Sequence, residues 1–414
     1  MNNPKLRFRR EDGTSYPEWN RKSFSNTFSP LNNNTFSRNL LSENGTVCNI
    51  HYGDVLVKFG EVCDIQTTDI PKVNADIDTS KFDKLQDGDI ILADTAEDET
   101  VGKATEIYCV GTSKVISGLH TMACRPNEKY APKYLGYYIN SPTYHNQLIP
   151  FMQGIKVTSI GRKNIADTVI YYPADIEEQQ KIADFLSSVD EVIAQSEAEV
   201  SNLQQQKKAA MQKIFSQEVR FKREDGTEFP DWESVAFSSL YKQTNEKNDG
   251  SFDIDKIISV ANMYFKSDAV ISDDDYLKSY NICRLGDIAF EGNKSKKFSF
   301  GRLVENNIGD GIVSHVFIVF RPIMPNHNLE YWKYAINYEP IMGRILAKCT
   351  KKSTMMTDLV PSDFLKQKVM VPCLEEQQKI ADFLSAYDEA IGYAKQELDK
   401  WKELKKGLLQ QMFV

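Results

Sequence analysis

The residue types that carry most enzyme chemistry are present in this chain, but their spacing does not predict a catalytic site. The five histidines, at positions 51, 120, 145, 315 and 327, lack the spacing of metal ligands. The seven cysteines include no Cys-x-x-Cys pair, which predicts reduced thiols inside the fold. The one Glu-x-Lys sequence, Glu403-Leu404-Lys405, lies in a long helical pattern far from any Pro-Asp. A magnesium-dependent nuclease site is therefore not predicted there.

Other catalytic motifs are also absent from the sequence. It contains no Gly-x-x-x-x-Gly-Lys-Ser/Thr loop, no Gly-x-Ser-x-Gly turn and no His-Glu-x-x-His zinc motif. Pro-Pro never occurs, so the Asn/Asp-Pro-Pro-Tyr/Phe motif of amino-methyltransferases is missing as well. We therefore expect a protein that binds other molecules without catalysing a reaction, and that holds no cofactor or metal of its own.

Three acid-free stretches suggest what is bound. Residues 129–166, 292–304 and 340–357 contain five, four and four basic residues. Lys and Arg neutralise phosphates, while Ser, Thr and Asn position a nucleic-acid backbone or reach base edges. Basic loops with hydroxyls bind many anions, and any single stretch could be a solvated loop, but together they predict binding of double-stranded DNA. The candidate DNA-binding residues are Lys156, Thr158, Ser159, Arg162, Lys163, Asn293, Lys294, Lys296, Lys297, Arg302, Lys348, Thr350, Lys351, Lys352, Ser353 and Thr354.

These stretches are placed by a tandem repeat. The sequence EEQQKIADFLS occurs at 177–187 and again, unchanged, at 375–385, and 14 of 17 positions match when both copies are extended to Ile193 and Ile391. LRFRREDGTSYPEW at 6–19 returns as VRFKREDGTEFPDW at 219–232, with 9 of 14 positions identical. The chain is therefore a duplication of a short basic turn, a variable region and a helix.

Both repeated helices carry a coiled-coil pattern. Alternating steps of four and three residues from Ile182 and Ile380 meet apolar side chains at nearly every position, which is the a/d pattern of a coiled coil. An amphipathic helix packed on its own domain is the alternative. These positions are Ile182, Leu186, Val189, Ile193, Ser196, Val200, Leu203, Lys207, Ala210 and Ile214, and Ile380, Leu384, Tyr387, Ile391, Ala394, Leu398, Trp401, Lys405, Leu408 and Met412.

Two copies of one helix are most simply paired by a two-fold axis, which makes them antiparallel. Lys207 and Lys405 occupy the same seam position in the two copies, where a polar residue can set the register. By the repeat offsets, Val414 corresponds to Ser216 and Leu6 to Val219, so the two ends of the chain should lie close together. A rod of about 33 residues spans about 50 Å. DNA-binding domains at its ends would contact half-sites centred about 10–14 base pairs apart.

The expected fold class is α+β, with two mixed α/β recognition domains in pseudo-two-fold tandem repeat and an antiparallel two-helix coiled coil between them. The boundaries expected from the repeats are 1–176 for the first domain, with a turn segment at 1–19, and 177–218 for the first spacer helix. The second domain is expected at 219–374 and the second spacer helix at 375–414. Each variable region contains Gly-Asp-Ile, at Asp89 and at Asp287.

The layout and the sequences EEQQKIADFLSSVDEVI and EEQQKIADFLSAYDEAI resemble the specificity subunit of type I restriction–modification enzymes over essentially the whole chain. The resemblance implies a non-catalytic subunit that reads a bipartite DNA target with its two domains. It also implies two modification subunits, which methylate adenine with S-adenosylmethionine, and ATP-dependent restriction subunits. S-adenosylmethionine, ATP and magnesium are then expected on those partner subunits and not on this chain.

The resemblance further implies that the modification subunits dock on the repeated helices. The exposed candidates for this contact are Glu177, Gln180, Asp184, Glu375, Gln378 and Asp382. The family has no residue motif for base contacts, so the DNA-binding residues given above depend on charge alone. With no apolar leader and no run of 18 apolar residues, a cytoplasmic protein without membrane contact is expected.

Two other functions fit parts of the sequence. The net charge of −8, of which segments 177–218 and 375–414 carry −6, would suit a coiled-coil protein-interaction scaffold that does not bind DNA. It would also suit an acidic mimic of DNA that inhibits such enzymes. The scaffold would explain the acidity better, but neither alternative uses the three acid-free stretches, and an acidic spacer would hold DNA-reading domains apart without binding DNA itself.

Overall fold

The structure is a computed structural model that describes residues 4–154, 156–266, 274–324, 327–352 and 356–414. The chain divides into two compact units. The first unit comprises Met1–Glu199 together with Ala394–Val414, and the second comprises Val200–Tyr393. Each unit therefore holds one variable region, the beginning of the helix that follows it and the end of the other long helix.

The first unit is built from short strands and helices in front of one long helix. Its helices are α1 (Phe24–Thr27), α2 (Tyr52–Val57), α3 (Tyr134–Ile139), α4 (Pro142–Leu148), α5 (Arg162–Ile165) and α6 (Ile176–Phe215), the last of which continues into the second unit. Its strands are β1 (Asn20–Ser23), β2 (Phe28–Pro30), β3 (Leu41–Ser42), β4 (Val47–Ile50), β5 (Val62–Asp64), β6 (Lys72–Val73), β7 (Ile90–Ala93), β8 (Thr95–Ala96), β9 (Ala104–Tyr108), β10 (Lys114–Ser117), β11 (Thr121–Pro126), β12 (Thr158–Ser159) and β13 (Val169–Tyr172).

The second unit repeats this arrangement. Its helices are α7 (Phe237–Leu240), α8 (Asp274–Leu277), α9 (Leu329–Ala335), α10 (Glu339–Cys349), α11 (Pro361–Lys366) and α12 (Leu374–Met412), the last of which continues into the first unit. Its strands are β14 (Glu233–Ala236), β15 (Tyr241–Thr244), β16 (Ile258–Ser259), β17 (Tyr264–Phe265), β18 (Asn281–Cys283), β19 (Ile288–Glu291), β20 (Arg302–Glu305), β21 (Gly311–Val313), β22 (Ile318–Pro322), β23 (Thr350–Lys352), β24 (Thr357–Leu359) and β25 (Lys368–Val371).

The main sheets of the two units have matching strand orders. The first unit has the order β2-β11-β7-β9-β5 and the second has β15-β22-β19-β20. Ile90 of β7 pairs with Cys124 of β11, and Ile288 of β19 pairs with Phe320 of β22 in the same register. Strands β7 and β19 are buried along their whole length and are apolar except for Glu291 at the end of β19, which is typical of a strand covered on both sides. The predicted mixed α/β repeat is confirmed.

The repeated Gly-Asp-Ile sequence is a structural turn. Gly88 and Gly286 have φ values of +86° and +85°, a conformation that glycine adopts without strain. The following Asp89 is buried and accepts two hydrogen bonds from Arg125, at 2.8 and 2.7 Å. Asp287 is paired in the same way with Arg321. The motif therefore fixes the start of the central strand against its neighbour.

The predicted a/d positions of both long helices are confirmed by burial. Every one of them is buried or half-buried, and Ile182, Leu186, Ile380 and Leu384 are at most 2% exposed. In the first unit, Leu408, Leu409, Met412 and Phe413 join the same apolar core as Ile182, Leu186 and Val189. In the second unit, Ile214 and Phe215 join the core that contains Ile380 and Leu384. The end of α12 therefore completes the core of the first unit, and the end of α6 completes the core of the second.

Ion pairs show that the helical segments inside each unit are antiparallel. In the first unit Lys402 contacts Glu197 and Lys405 contacts Asp190, so residue numbers rise along one segment as they fall along the other. In the second unit Lys207 is paired with Asp388. Both seam lysines thus meet a carboxylate of the opposing segment, which restricts the register to one alignment.

The predicted proximity of the chain ends is confirmed within the first unit. The Leu6 N–H donates to the carbonyl of Gln411 at 2.9 Å. The repeat-equivalent hydrogen bond in the second unit runs from Val219 to the carbonyl of Lys213 at 3.2 Å, where the chain is continuous. The segment that begins the chain thus occupies the place that follows a long helix in the other copy.

A buried glutamate anchors each basic turn to its helix. Glu178, which is 0% exposed, accepts hydrogen bonds from Arg7 and from the Trp19 indole. Glu376 accepts the equivalent bonds from Arg220 and Trp232 in the second unit. These contacts explain why the Arg and Trp of the basic turn and the Glu-Glu-Gln-Gln sequence of the helix occur together in both copies of the repeat.

Two buried glutamates, Glu106 and Glu305, occupy equivalent positions in the two units but differ in their hydrogen-bond partners. Glu106 on β9 accepts hydrogen bonds from the N–H groups of Lys133 and Gly136, and burial raises its pKa to about 7. Glu305 lies at the matching end of β20, and neither of its carboxylate oxygens has a partner among the described residues. Burial and the nearby Glu330 raise the pKa of Glu305 to about 9. Glu305 is therefore a protonated acid at neutral pH.

This difference predicts a pH dependence of stability. The folded-state pKa of Glu305 lies above its ordinary value of 4.5, so the folded state binds the extra proton and stability falls as pH rises from 4.5 through 9. Glu305→Gln removes that proton linkage. We expect the free energy of unfolding of Glu305→Gln, relative to wild type, to increase with pH by up to about 1.4 kcal/mol per pH unit. Urea titrations between pH 5 and 9 measure this difference, and parallel pH profiles for the two proteins would refute it.

Two further expectations from the sequence concern the cysteines and membrane-spanning helices. All seven cysteines are free thiols. Within the described ranges, no helix has the length and apolarity needed to cross a membrane.

Candidate nucleic-acid interface

The first basic stretch forms a small hairpin against the end of the central strand. Strand β12 pairs with β8, so that Ser159 lies opposite Thr95, and the Ile160 N–H donates to the carbonyl of Asp94 at 2.9 Å. Gly154 has a φ of +124°, and a Cβ at this position would lie 1.9 Å from the carbonyl oxygen of Val157. Only glycine therefore allows the tight turn of this hairpin.

The predicted DNA-binding side chains of this hairpin are at the surface. Lys156, Ser159, Arg162 and Lys163 are exposed and Thr158 is half-buried. Arg162 donates to the carbonyl of Leu31 at 3.2–3.3 Å, which holds its guanidinium near the hairpin. The candidate side chains of this stretch are therefore accessible to a ligand.

The third basic stretch, residues 340–357, occupies the same place in the second unit. Asn293, which follows β19, forms a β-bridge with Met356, and the Thr357 N–H donates to the carbonyl of Gly292 at 2.8 Å. These contacts match those of Thr95, Ser159 and Ile160. Sequence position alone placed 292–304 and 340–357 far apart, whereas strand pairing brings them to one edge of the unit.

Several lysines of the second unit face solvent at this edge. Asn293, Lys294, Lys296 and Lys297 are exposed in the loop after β19. Lys348, at the end of α10, and Lys351, on β23, are also exposed. Lys352 lies on β23, while Ser353 and Thr354 lie outside the described residues.

Arg302 and Thr350, two of the candidate residues, are half-buried and are held by structural partners. Arg302 donates to Glu291 and to the carbonyl of Ala261, both at 2.6 Å, and its guanidinium lies 5.0 Å from the Phe298 ring. Thr350 donates its hydroxyl to the carbonyl of Leu346 at 2.7 Å. These side chains support the lysine-bearing loops, so their expected direct contribution to DNA binding is smaller than that of the exposed lysines.

A polar cluster that was not predicted lies beside the first hairpin. Asp94, Thr95 and His120 lie together, with the His120 Nδ1 atom 3.3 Å from Asp94 and 3.4 Å from the Thr95 hydroxyl. Their proximity depends on the pairing of β7 with β11, across 25 residues of chain. No local motif in the sequence marks it.

The candidate partner-binding residues form two matching surfaces. Glu177, Asp184, Glu375, Gln378 and Asp382 are exposed, and Gln180 is half-buried. The side-chain hydrogen bonds from Gln180 to Asp184 and from Gln378 to Asp382 are both 2.7 Å long. The two units therefore share the same Gln–Asp hydrogen bond on this face of their long helices.

An aromatic pair lies on each of these surfaces and was also missed. The rings of Phe8 and Phe185 are 5.7 Å apart in an edge-to-face arrangement, and those of Phe221 and Phe383 are 5.5 Å apart. Phe185 and Phe383 are each 38% exposed. Exposed aromatic residues beside charged ones are typical of protein–protein contacts. Both belong to the repeated sequence, so the repeat itself is the signal that could have identified them.

The arrangement offers binding surfaces. The lysines and arginines of the basic loops, their Ser and Thr hydroxyls and the Asn293 amide can contact phosphates and base edges. Among the described residues, no group of three or more His, Cys, Asp or Glu side chains has the geometry of a metal site.

Comparison with known proteins identifies a family. The family model described as the type I restriction modification DNA specificity domain matches twice, at residues 32–205 and 231–402. Each match covers one variable region and most of the long helix that follows it. Together the two matches cover most of the chain.

Individual relatives agree with the family model. A protein of Methanocaldococcus jannaschii assigned as the type I restriction enzyme MjaX specificity subunit is 26% identical over 381 residues, which cover 86% of this chain and 82% of that protein. The S subunit of the type I restriction–modification system of M. genitalium superposes with a TM-score of 0.54 at 13% identity, covering 100% and 99% of the two chains. A chain from a structure on complex assembly and conformational transition of the type I R-M system has a TM-score of 0.57 at 15% identity, covering 96% and 98%.

Proposed function

This chain belongs to the family of type I restriction–modification DNA specificity domains and contains two of them in tandem, and we propose that each domain reads one half of a bipartite, asymmetric DNA target with the basic edge of its central sheet. The first edge is the hairpin formed by residues 153–154 and 156–160, with Arg162 and Lys163. The second comprises the loop of residues 292–302 together with Lys348 and Lys351. Because the two edges carry different side chains, we expect them to read different half-sites.

The observation that carries this proposal is the matched placement of the basic stretches. In each unit, an acid-free stretch pairs with the residues that directly follow the central strand, through Ser159 in the first and Met356 in the second. Two unrelated sequences placed by the same backbone contacts are what interchangeable reading loops on a constant framework require. A coiled-coil scaffold without DNA leaves this repeated basic edge unexplained.

The partners follow from the same division of labour. We propose that two modification subunits dock on the repeated surfaces around Glu177 and Glu375, one on each, and that restriction subunits join the assembly. S-adenosylmethionine, ATP and magnesium would be held by those subunits, and this chain would contribute target choice without a reaction of its own. The assembled complex would then methylate adenine and cleave DNA in an ATP-dependent reaction.

A charge-removal experiment tests the DNA edge. In a complex with modification subunits, Lys296→Ala with Lys297→Ala should weaken binding to target and non-target DNA alike, because phosphate contacts carry no sequence information. Each lost phosphate contact lowers the slope of log K against log salt by about 0.9, so a reduction of about 2 is expected. Fluorescence anisotropy at several salt concentrations measures both quantities.

A matched control removes two lysines elsewhere. Lys208→Ala with Lys406→Ala changes the net charge equally but alters exposed positions of the long helices. This variant should keep the wild-type affinity and salt slope. If the two double variants behave alike, the loop after β19 does not contact DNA, and salt-insensitive binding by the wild-type complex would favour the scaffold.

A further inference from the structure

His120 has an unusual backbone conformation at the edge of the first domain. Its φ of +53° lies in the left-handed region, which few residues other than glycine adopt, and it directly precedes β11. The His120 carbonyl accepts a hydrogen bond from the Asp94 N–H at 3.1 Å. Strained residues persist where the surrounding structure holds them, and they concentrate at functional sites.

Three neighbours fix the orientation of the imidazole. The Nδ1 atom lies 3.3 Å from the Asp94 carboxylate and 3.4 Å from the Thr95 hydroxyl, which itself donates to Asp94 at 2.8 Å. The Tyr52 ring lies edge-to-face at 5.3 Å. Even so, 48% of the His120 side chain is exposed. A polar ring that is both held in place and accessible is preorganised for a ligand.

The neighbours of Nδ1 also determine which nitrogen carries the proton. The Thr95 hydroxyl donates its own hydrogen to Asp94 at 2.8 Å, so it can only accept from the His120 Nδ1 atom, and the neutral imidazole places its hydrogen on Nδ1. Nε2 then presents a lone pair, and it has no hydrogen-bond partner among the residues that the structure describes. His120 therefore offers one hydrogen-bond acceptor at a fixed position.

This acceptor lies beside the first reading hairpin. Thr95 contacts His120 through its side chain and pairs with Ser159 of the hairpin through its backbone. In the major groove, adenine N6 and cytosine N4 present amino donors, whereas guanine and thymine present acceptors at the corresponding position. We propose that His120 is a specificity-determining residue, which accepts a hydrogen bond from the amino group of an adenine or a cytosine in the half-site of the first domain.

The second domain lacks the carboxylate and the hydroxyl of this cluster, although His315 there lies edge-to-face with the Tyr276 ring at 6.4 Å. Ile90 and Ile288 begin the two central strands. Asp94 lies four residues after Ile90, and Gly292 lies at the equivalent position after Ile288. Ile90 pairs with Cys124, and Ile288 pairs with Phe320. His120 lies four residues before Cys124, and Val316, which is 60% exposed, lies four residues before Phe320. The proposed contact therefore belongs to one half-site only, and Val316 provides a matched control position.

His120→Asn tests the proposal, because asparagine tolerates the left-handed backbone but its short side chain cannot reach the same point. In the complex with modification subunits, DNA competitors that carry each base at every target position measure discrimination as a ratio of affinities. We expect His120→Asn to lose about tenfold discrimination at one base pair of one half-site, the one whose wild-type base carries an amino group. The ratio does not depend on the folded fraction, so partial unfolding cannot imitate this result.

Asp94→Asn tests the positioning role of the carboxylate. The asparagine amide can donate to Nδ1, which favours the tautomer with hydrogen on Nε2 and turns the acceptor into a donor. At that same base pair the preference should shift towards guanine or thymine. Val316→Ala should leave this half-site unchanged.

The inference depends on the proposed function but fails separately from it. If the wild-type complex shows no bipartite preference, the proposed function is wrong. If the wild-type complex reads a bipartite target while His120→Asn retains full discrimination, or weakens binding equally for every sequence, His120 does not read a base.

Discussion

Exchange of residues 20–176 for the corresponding region of another specificity subunit changes one half of the methylated DNA motif completely and leaves the other half as it was. This result is expected because each unit has its own sheet and core, and because the two basic edges are built from separate variable regions. The gap between the half-sites should also stay the same, since α6 and α12 are retained. Sequencing methods that detect methylated adenine measure the motif before and after the exchange.

The junctions of this exchange must preserve one apolar contact. Phe413, from the end of α12, packs in the first core between Trp19, which is retained, and Tyr134 and Tyr138, which are exchanged. A donor region with aromatic residues at the two tyrosine positions controls for misfolding, and thermal melting of the chimera verifies it. A change in both halves of the motif, or in neither, would show that the two domains are not independent readers.

Lys405→Ala should destabilise the first unit by about 2–3 kcal/mol, because it leaves two half-buried carboxylates without the ammonium group that bonds both. Lys405 Nζ lies 2.6 Å from both Glu61 and Asp190, and its side chain is only 15% exposed. Burial opposes its charge, but the two acids outweigh that effect and raise the pKa of the ammonium. Glu61 belongs to the variable region, so this lysine ties the end of α12 to the first recognition domain.

Lys207→Ala is the matched variant and should cost clearly less. Asp388 and Asp190 each keep a tyrosine hydroxyl, at 2.6 and 2.7 Å, but Asp388 also has the ammonium group of Lys333 within 3.8 Å. Denaturant unfolding of both variants measures the difference.

A rescue variant separates charge from packing. Lys405→Met combined with Glu61→Gln and Asp190→Asn removes the whole charged cluster and should recover most of the stability lost in Lys405→Ala. Equal losses for Lys405→Ala and Lys207→Ala, or no rescue, would mean that the seam lysines act through packing alone.

The repeat made much of the framework predictable. The a/d positions from Ile182 and Ile380, the seam lysines and the closeness of Leu6 to the end of the second helix all followed from comparing the two copies. These features depend on local periodicity and on internal symmetry, both of which are visible in one sequence. The Gly-Asp-Ile turns were visible too, although their ion pairs with Arg125 and Arg321 were not.

The neighbours of individual side chains were less predictable from the sequence, because they depend on contacts between residues far apart in the chain. Glu61 meets Lys405 across 344 residues, and His120 meets Asp94 only through the pairing of β7 with β11. Charge counting identified the lysine-rich loops but could not separate Arg302, which is held by Glu291, from the exposed Lys296 and Lys297. Basic composition marks a surface, whereas the role of each side chain depends on its neighbours.

Genome-wide mapping of methylated adenine, in cells that carry this chain with its modification subunits, tests the central claim most directly. Two different domains on a constant helical framework predict one bipartite motif, with two unequal halves and a fixed gap, which disappears when the chain is deleted. A single contiguous motif, two identical halves, or methylation that persists without the chain would contradict the account.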